Sequence, residues 1–397
     1  MNTITPRLLP VLLLAALSGA ATASGLQSRE QDAAGLGTAH AGSAAIADTA
    51  AGQFYNPAGL DRLDGVQVSA GLTGVRSRLE FSDKGSSGAS LGVGDGGDAG
   101  SWLANANASL SWRLNRDLSI GLGITSPFGL DVDYEGNNWL GRVHAQRAEL
   151  RTRNISPAVA YRISERVAVG FGLNYQSIDL DFANAVSRLK GDDGSWGWNA
   201  GALFTLSPAM RVGIAYRSAI EHDLDGSVNG QAARARIDLP DTATLSVWQQ
   251  VSDRWEAMGD LSYTRWDRLK SLNFVSRSSG ALLASEPFAY GNSWRLAWGA
   301  AYLLSDTVKL KFGIAYERSP SGSPTRNAWA PDSDALRLSL GGQWRLGSGR
   351  LDAGYSYHLA KDAKIAQSRV VGGLTNTLRG EYETGAHTLG IQYSAAF

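Results

Sequence analysis

Most of the chain after residue 66 alternates between large apolar residues and small or polar ones. From Val167 to Tyr175 every odd position is large and apolar, and every even position is small or polar. From Leu336 to Leu346 the large apolar residues fall on even positions. A period of two predicts β-strands, because successive side chains point to opposite faces of a sheet. The chain is therefore predicted to be all-β.

About fourteen such strands follow one another, and their connections alternate in length. The pattern of short turns on one rim and long loops on the other is typical of an antiparallel outer-membrane β-barrel. The predicted strands are near 66–81, 102–114, 118–134, 147–163, 167–182, 195–206, 211–223, 234–249, 255–270, 292–304, 308–318, 333–346, 350–361 and 383–397. The predicted long loops are 82–101, 135–146, 183–194, 224–233, 271–291, 319–332 and 362–382.

Aromatic residues and the last strand support a membrane barrel. Several aromatic residues lie near strand ends on the apolar phase, where a barrel carries its interfacial girdle. They are Trp102, Trp112, Trp255, Trp294, Trp344, Tyr161 and Tyr302. The final strand alternates and stops on Phe397, which resembles the C-terminal signal read by the barrel-assembly machinery. We therefore expect that machinery as a partner during biogenesis.

The N-terminus predicts export. Residues 1–23 combine a basic Arg7, an apolar run from Leu8 to Leu17 and a small-residue cleavage site at Ala21–Ala23, as in a signal peptide. The apolar run is too short for a hydrocarbon core of about 30 Å. No later segment is apolar enough for a spanning helix, so a membrane location requires a closed barrel. We expect the mature chain to begin near Ser24.

Between the signal peptide and the first strand lies a segment of different character. Residues 24–64 lack the alternation, and Gly35 to Leu60 is rich in Gly and Ala. Small side chains allow close backbone packing, so we predict that 24–64 forms a plug, or hatch, inside a barrel of residues 65–397. Such a plug would block bulk water flow. An open porin for polar solutes remains the alternative within the same class.

Composition argues against several other functions. The formal net charge is zero, which does not favour a nucleic-acid partner, and the absence of Cys excludes thiolate metal sites. The five His residues are scattered, so we expect no metal and no cofactor. Gly88–Gly92 fits G-x-S-x-G, but it lies in a Gly/Ser loop rather than a strand-to-helix elbow. The chain is predicted not to be an enzyme, with a catalytic barrel as an alternative.

The hatch resembles that of the FadL-type outer-membrane transporters of long-chain fatty acids and other hydrophobic compounds. The resemblance rests on Gly35–Gly37, Ala41-Gly42, Ala45–Asp48 and Tyr55–Leu60, which contains the triplet Asn56, Pro57 and Ala58. It implies a monomer in the outer membrane of a Gram-negative bacterium, surrounded by lipid and lipopolysaccharide. It also implies passive uptake of hydrophobic compounds through an internal pocket and a lateral opening at a kinked third strand. The cargo would be a long-chain fatty acid or, alternatively, an aromatic hydrocarbon.

The third predicted strand contains a candidate for that kink. Pro127 cannot donate to the ladder, and Gly129 weakens it or permits a bulge. The run Pro127-Phe128-Gly129-Leu130 is also similar to the family at this place. Alternatively, Pro127 lies above the membrane at the rim. The resemblance places Leu26, near the mature N-terminus, in the internal pocket.

A fatty acid carries a carboxylate, so a lumen cation would help to hold it. Arg295 and Arg337 are candidate anchors, because both fall on the inward phase. The alternative is that they pair with lumen carboxylates such as Glu256, Asp260 or Glu317.

Overall fold

The computed structural model describes residues 26–397. The predicted signal peptide, together with Ser24 and Gly25, lies outside the described residues. The described chain contains twenty strands in one antiparallel sheet. They are β1 (Val66–Asp83), β2 (Trp102–Arg113), β3 (Leu118–Thr125), β4 (Gly129–Asp133), β5 (Arg147–Ser164), β6 (Val167–Ala183), β7 (Arg188–Ser207), β8 (Met210–Arg217), β9 (Ile220–Val228), β10 (Gln231–Leu239), β11 (Thr242–Gln250), β12 (Trp255–Thr264), β13 (Ser271–Ser276), β14 (Leu282–Pro287), β15 (Ser293–Ser305), β16 (Val308–Glu317), β17 (Ala335–Leu346), β18 (Gly349–Ala360), β19 (Ala363–Val371) and β20 (Leu374–Ala396).

Fourteen of these strands close into a ring, which confirms the predicted fourteen-stranded barrel. In order around the ring they are β1, β2, β3, β5, β6, β7, β8, β11, β12, β15, β16, β17, β18 and β20. The last strand pairs with the first from Gln67↔Ala396 onward, and this pairing closes the sheet. A closed sheet satisfies its backbone groups without an edge, as a hydrocarbon environment requires.

The other six strands extend the barrel on the long-loop rim, where four predicted loops were wrong. The loop predicted at 183–194 is mostly strand, because β7 already begins at Arg188. The loop predicted at 224–233 is the β9–β10 hairpin, turning at Asn229 and Gly230 with positive φ at both residues. The loop predicted at 271–291 contains the β13–β14 hairpin, and the one at 362–382 contains most of the β19–β20 hairpin.

The alternation sorts side chains between lipid and lumen. Outward positions such as Phe171, Trp298 and Leu389 are exposed, whereas the intervening positions face the interior. The aromatic residues Trp102, Trp112, Tyr161, Trp255 and Trp344 are exposed on the outer wall, as predicted. Within residues 26–397, no helix combines the length and apolar character needed to cross a bilayer.

The hatch lies inside the barrel and consists of short turns. It contains one helical turn, α1 (Ser43–Ile46), and the 3₁₀ turns Leu36–Thr38, Ala50–Phe54 and Pro57–Arg62. Two wall glycines permit close contact with it. A Cβ on Gly213 would lie 1.9 Å from the Ala44 carbonyl oxygen, and one on Gly313 would lie 2.1 Å from the Thr38 carbonyl carbon. The hatch backbone therefore packs directly on the wall.

Candidate functional site

The barrel wall is interrupted at its third strand, which is divided into β3 and β4. β3 ends at Thr125 and β4 begins only at Gly129. β2 pairs with β3 up to Ala108↔Ile124, and β4 pairs with β5 rather than with β2. Residues 102–107 of β2 therefore have no strand partner on this side among the described residues. We call this gap the window.

The window is closed on the long-loop side by two hydrogen bonds. The N–H of Asp133 donates to the Ala99 carbonyl at 3.1 Å. The Ser101 hydroxyl donates to the Asp131 carbonyl, also at 3.1 Å. The gap is thus bounded above and below rather than being an open slot, and Pro127 lies within the break.

Backbone groups freed by the break are satisfied by the start of the hatch. The N–H of Gly129 donates to the Leu26 carbonyl, and the N–H of Ser28 donates to the Pro127 carbonyl, both at 2.9 Å. Gln31 makes two further bonds of 2.9 Å to the backbone of Ser126, one as acceptor and one as donor. The break is therefore a built feature whose inner side is paired with the hatch.

The lumen between the hatch and the long-loop rim is apolar. Leu26, Phe128 and Leu130 belong to one continuous cluster of buried apolar side chains in this region. Its largest fully buried members include Trp139, Trp266, Trp329, Phe182, Phe274 and Phe288. Phe128 meets Trp266 edge-on, with ring centroids 6.2 Å apart. Barrel interiors are ordinarily polar, so this apolar lumen is suited to a hydrophobic solute.

Loops cover the apolar cluster at the long-loop rim. The Trp329 indole N–H donates to Glu286 at 3.0 Å, and the ring stacks on Phe182 with centroids 5.2 Å apart. The Tyr134 hydroxyl donates to the Ala328 carbonyl at 2.7 Å, and its ring stacks on Trp139 at 3.9 Å. The cluster is thus shielded from water at its upper end.

One cavity lies beside the window and another at the start of the hatch. The first, of about 60 Å³, is lined by Leu79, Leu130, Val132 and Ala330 of the apolar cluster, by His358 and by polar residues such as Ser77. Since Leu130 and Val132 belong to β4, this cavity adjoins the window. The second, of about 60 Å³, is lined mainly by polar residues and is called the hatch cavity; it includes Gln27, Ser28, Arg29, Phe54, Arg217 and Arg295.

A sealed barrel with a hatch, an apolar lumen and a side window is the geometry of a transporter rather than an open pore. The family model described as outer membrane protein transport protein (OMPP1/FadL/TodX) matches residues 14–397. The chain belongs to this family. As a FadL/TodX-family member it is an outer-membrane β-barrel of Gram-negative bacteria that transports hydrophobic compounds, and it is not an enzyme.

Curated relatives of the FadL/TodX family match over most of their length. Outer membrane protein P1 of Haemophilus influenzae is 28% identical, over 96% of this chain and 97% of the relative. The long-chain fatty acid transport protein of Escherichia coli K12 is 25% identical, over 89% of this chain and 91% of the relative.

Solved structures agree on the fold. A Pseudomonas aeruginosa FadL homologue superposes with a TM-score of 0.87 at 22% identity, covering 94% of this chain and all of that chain. The Pseudomonas putida toluene transporter TodX gives a TM-score of 0.68 at 16% identity, covering 94% of this chain and all of that chain.

The predicted triplet Asn56, Pro57 and Ala58 connects separate segments of the hatch to each other and to the barrel wall. Asn56 caps the turn that Pro57 begins, because its Oδ1 accepts the Ala58 N–H at 3.0 Å. Its Nδ2 donates to the Ala44 carbonyl at 2.8 Å and to the Ala202 carbonyl of β7 at 3.1 Å. Ala58 is fully buried. Asn56 thus links two parts of the hatch to each other and to the wall.

The two arginines predicted as carboxylate anchors are both paired. Arg295 donates to Glu317 at 2.9 Å and also to the Ala39 carbonyl. Arg337 pairs with Glu30 of the hatch and lies 3.5 Å from Glu317. The pairing alternative raised above therefore describes this structure, although Glu30 was not among the partners considered. Both guanidinium groups are therefore engaged in ion pairs in this conformation, although Nε and Nη2 of Arg337 make no hydrogen bond with any described residue.

Sequence reasoning missed Arg29 and Arg217 as residues of the lumen. Arg29 stands within Arg29-Glu30-Gln31-Asp32, where two neighbouring carboxylates give no signal of an unpaired cation. Burial, followed by the nearby positive charge of Arg295, lowers the pKa of Arg29 to about 10. Since that value is well above 7, Arg29 remains protonated at neutral pH.

Proposed function

We propose that this protein takes up long-chain fatty acids or similar hydrophobic compounds passively, through the apolar lumen and out sideways through the window. The observation that carries the proposal is the continuity of the apolar cluster with the break. Phe128 lies in the break, Leu130 follows it in β4, and both belong to the cluster that fills the upper lumen. A solute in the cluster would thus already be in contact with the side of the window.

The driving force would come from the solute. Each methylene removed from water gains about 0.8 kcal/mol, so an alkyl chain favours both the apolar lumen and the membrane interior over bulk water. Because both end states are apolar, diffusion from one to the other needs no energy source. The outer wall beside the window is also suited to lipid, since Trp102 is 68% exposed there.

Retention of the hatch during transport is part of the proposal. Asn56, Pro57 and Ala58 hold the hatch, while Leu26, Pro127, Phe128 and Gly129 form the contact between hatch and window. A solute blocked below by a fixed hatch would leave sideways. We further propose that the protein acts as a monomer among outer-membrane lipid and lipopolysaccharide, after insertion by the barrel-assembly machinery.

A reversible crosslink across the window tests this route. The chain has no Cys, so an Ala104→Cys and Asp131→Cys pair can be joined specifically by a cleavable bifunctional reagent. We expect uptake of radiolabelled oleate into a deletion strain carrying the variant to fall on crosslinking and to recover after cleavage. The matched control is Leu110→Cys with Leu122→Cys, two residues already paired across β2 and β3 below the window.

Two results would contradict the proposal. Unchanged oleate uptake with the window crosslinked would exclude the lateral route. Large, stable channels of the intact protein in a planar bilayer would favour an open porin instead. Parallel uptake of radiolabelled toluene distinguishes the aromatic-hydrocarbon alternative, since a transporter built for that cargo would prefer toluene over oleate.

A further inference from the structure

We propose that the hatch cavity is an anion subsite in which Arg29, assisted by Arg217, binds the carboxylate of an amphiphilic substrate. This inference rests on the proposed function and makes it more specific. It assigns substrate preference to two residues that sequence patterns did not single out. It also predicts that the protein favours monoanionic amphiphiles over neutral ones of the same chain length.

Arg29 has the features expected of a cation that binds an anionic ligand. It forms no ion pair with any described residue, and its Nε is buried without a hydrogen-bond partner. Arg29 also lines the hatch cavity. Burying an unpaired guanidinium is costly, because the charge loses water without gaining a partner. A carboxylate in the cavity would remove that cost through charge-assisted hydrogen bonds.

Arg217 supplies a second positive charge to the same cavity. It donates to the Phe54 carbonyl at 2.6 Å and to Asn174 Oδ1 at 2.7 Å. Its guanidinium also stacks on the Phe54 ring, 4.1 Å from the centroid. These neutral contacts orient the group but leave its charge unpaired among the described residues.

The carboxylates nearest to these arginines already have partners. Glu317 receives Arg295, and Glu30 receives Arg337. Asp260 also lines the cavity, but it accepts from the hydroxyls of Ser43, at 2.7 Å, and Ser246. Two unpaired guanidinium groups against one carboxylate leave an excess of one positive charge. That excess fits a monoanion, such as a carboxylate, better than a dianion.

The subsite lies next to the apolar cluster along the hatch. Leu26 is fully buried in that cluster, while Gln27, Ser28 and Arg29 immediately after it line the hatch cavity. A substrate could therefore keep its tail among apolar side chains while its head group meets Arg29. The arrangement matches an amphiphile with one charged end and distinguishes it from a purely apolar hydrocarbon.

Binding of oleate and oleyl alcohol to the detergent-purified protein tests the assignment. The two probes share a chain and differ in the head group, and tryptophan fluorescence reports binding of both. We expect Arg29→Gln to weaken oleate binding on the order of tenfold to a hundredfold, with oleyl alcohol unchanged. Arg29→Lys should restore part of the affinity, and Arg29→Gln with Arg217→Gln should lose more than either single variant.

The matched control is Arg166→Gln, an exposed arginine at the short-turn rim that should leave both affinities unchanged. Thermal melting of every variant verifies that the barrel remains folded. If wild type and both glutamine variants bound oleate equally well, the subsite assignment would be overturned. Binding of oleyl alcohol in the same experiment would leave the proposed function intact. Failure of the wild-type protein to bind either probe would overturn both.

Discussion

Leu26 and Gly129 are joined by a backbone hydrogen bond of 2.9 Å, from the Gly129 N–H to the Leu26 carbonyl. Leu26 lies at the start of the described hatch, and Gly129 is the first residue of β4, directly after the break. The pairing means that the hatch completes the wall from the inside at the place where the wall is weakest. Any movement of residues 26–31 must therefore change the backbone pairing of the break.

Gln31→Leu should loosen the break. The substitution removes both bonds to Ser126 and leaves its buried N–H and carbonyl unsatisfied, at a cost of about 1–3 kcal/mol per group. We expect faster amide hydrogen exchange at Ser126 and Gly129, with the melting temperature of the whole barrel little changed. Gln53→Leu serves as control, since the side chain of that hatch glutamine makes, among residues 26–397, only a long bond of 3.4 Å to the Leu110 carbonyl. Unchanged exchange at Ser126 would show that Gln31 does not secure the break.

Glu30→Gln should release the hatch and make the conductance of the protein in a planar bilayer depend less on pH. Burial alone would raise the pKa of Glu30, but the Arg337 guanidinium, together with His40 and a backbone hydrogen bond, outweighs it and holds the pKa below its ordinary value. A carboxylate with a lowered pKa stabilises the folded state above its unfolded pKa, and loses that effect as the pH falls through the lowered value. Conductance in a planar bilayer should therefore stay low from pH 7 to about pH 4 and rise only below it.

The variant should conduct already at pH 7, because a buried pair broken on one side costs about 3–5 kcal/mol. Glu165→Gln, an exposed carboxylate at the short-turn rim, should retain the wild-type profile. A variant that stays closed at pH 7 would mean that other contacts hold the hatch.

Asn56→Ala should weaken hatch retention more than Asn56→Asp. Alanine removes the cap on Ala58, worth about 1 kcal/mol, and both bonds donated by Nδ2. Aspartate keeps an oxygen for the cap but cannot donate to Ala44 and Ala202. We expect spontaneous channel openings in planar bilayers to increase from wild type to Asn56→Asp to Asn56→Ala. Equal opening frequency in all three would refute the structural role assigned here.

Phe128→Ala should reduce uptake of oleate and of neutral hydrophobic compounds alike. It removes a buried ring that packs on Trp266, and a large-to-small change of this kind costs about 3–5 kcal/mol in packing. Uptake is measured with radiolabelled compounds in a deletion strain, and surface protease mapping verifies barrel assembly. Trp298→Ala is the control, because that ring is 56% exposed on the outer wall. A loss of assembly would assign Phe128 a purely structural role.

The barrel itself could be predicted from sequence, and the errors have one physical cause. Within the membrane every outward residue must be apolar, so the period of two in β6 or β17 is easy to see. Above the membrane the outer face meets water, and β9 and β10 carry Glu221, Asp223 and Arg236 there. The alternation of hydrophobicity weakens at that point, although the backbone continues to pair. The long-loop rim therefore contains more strand than its composition indicates.

By itself the sequence determined the fold class and the number of barrel strands, because both depend on local periodicity. It predicted the hatch segment from its lack of alternation, and it offered a break at Pro127 as one of two interpretations. The tertiary structure alone decided which charges meet. Arg295 and Arg29 both appear as lumen cations only once the barrel is closed, and one has Glu317 at 2.9 Å while the other has no described ion-pair partner. Ion pairing depends on which side chains distant segments bring within a few ångströms, and that distance is set by closure of the whole sheet.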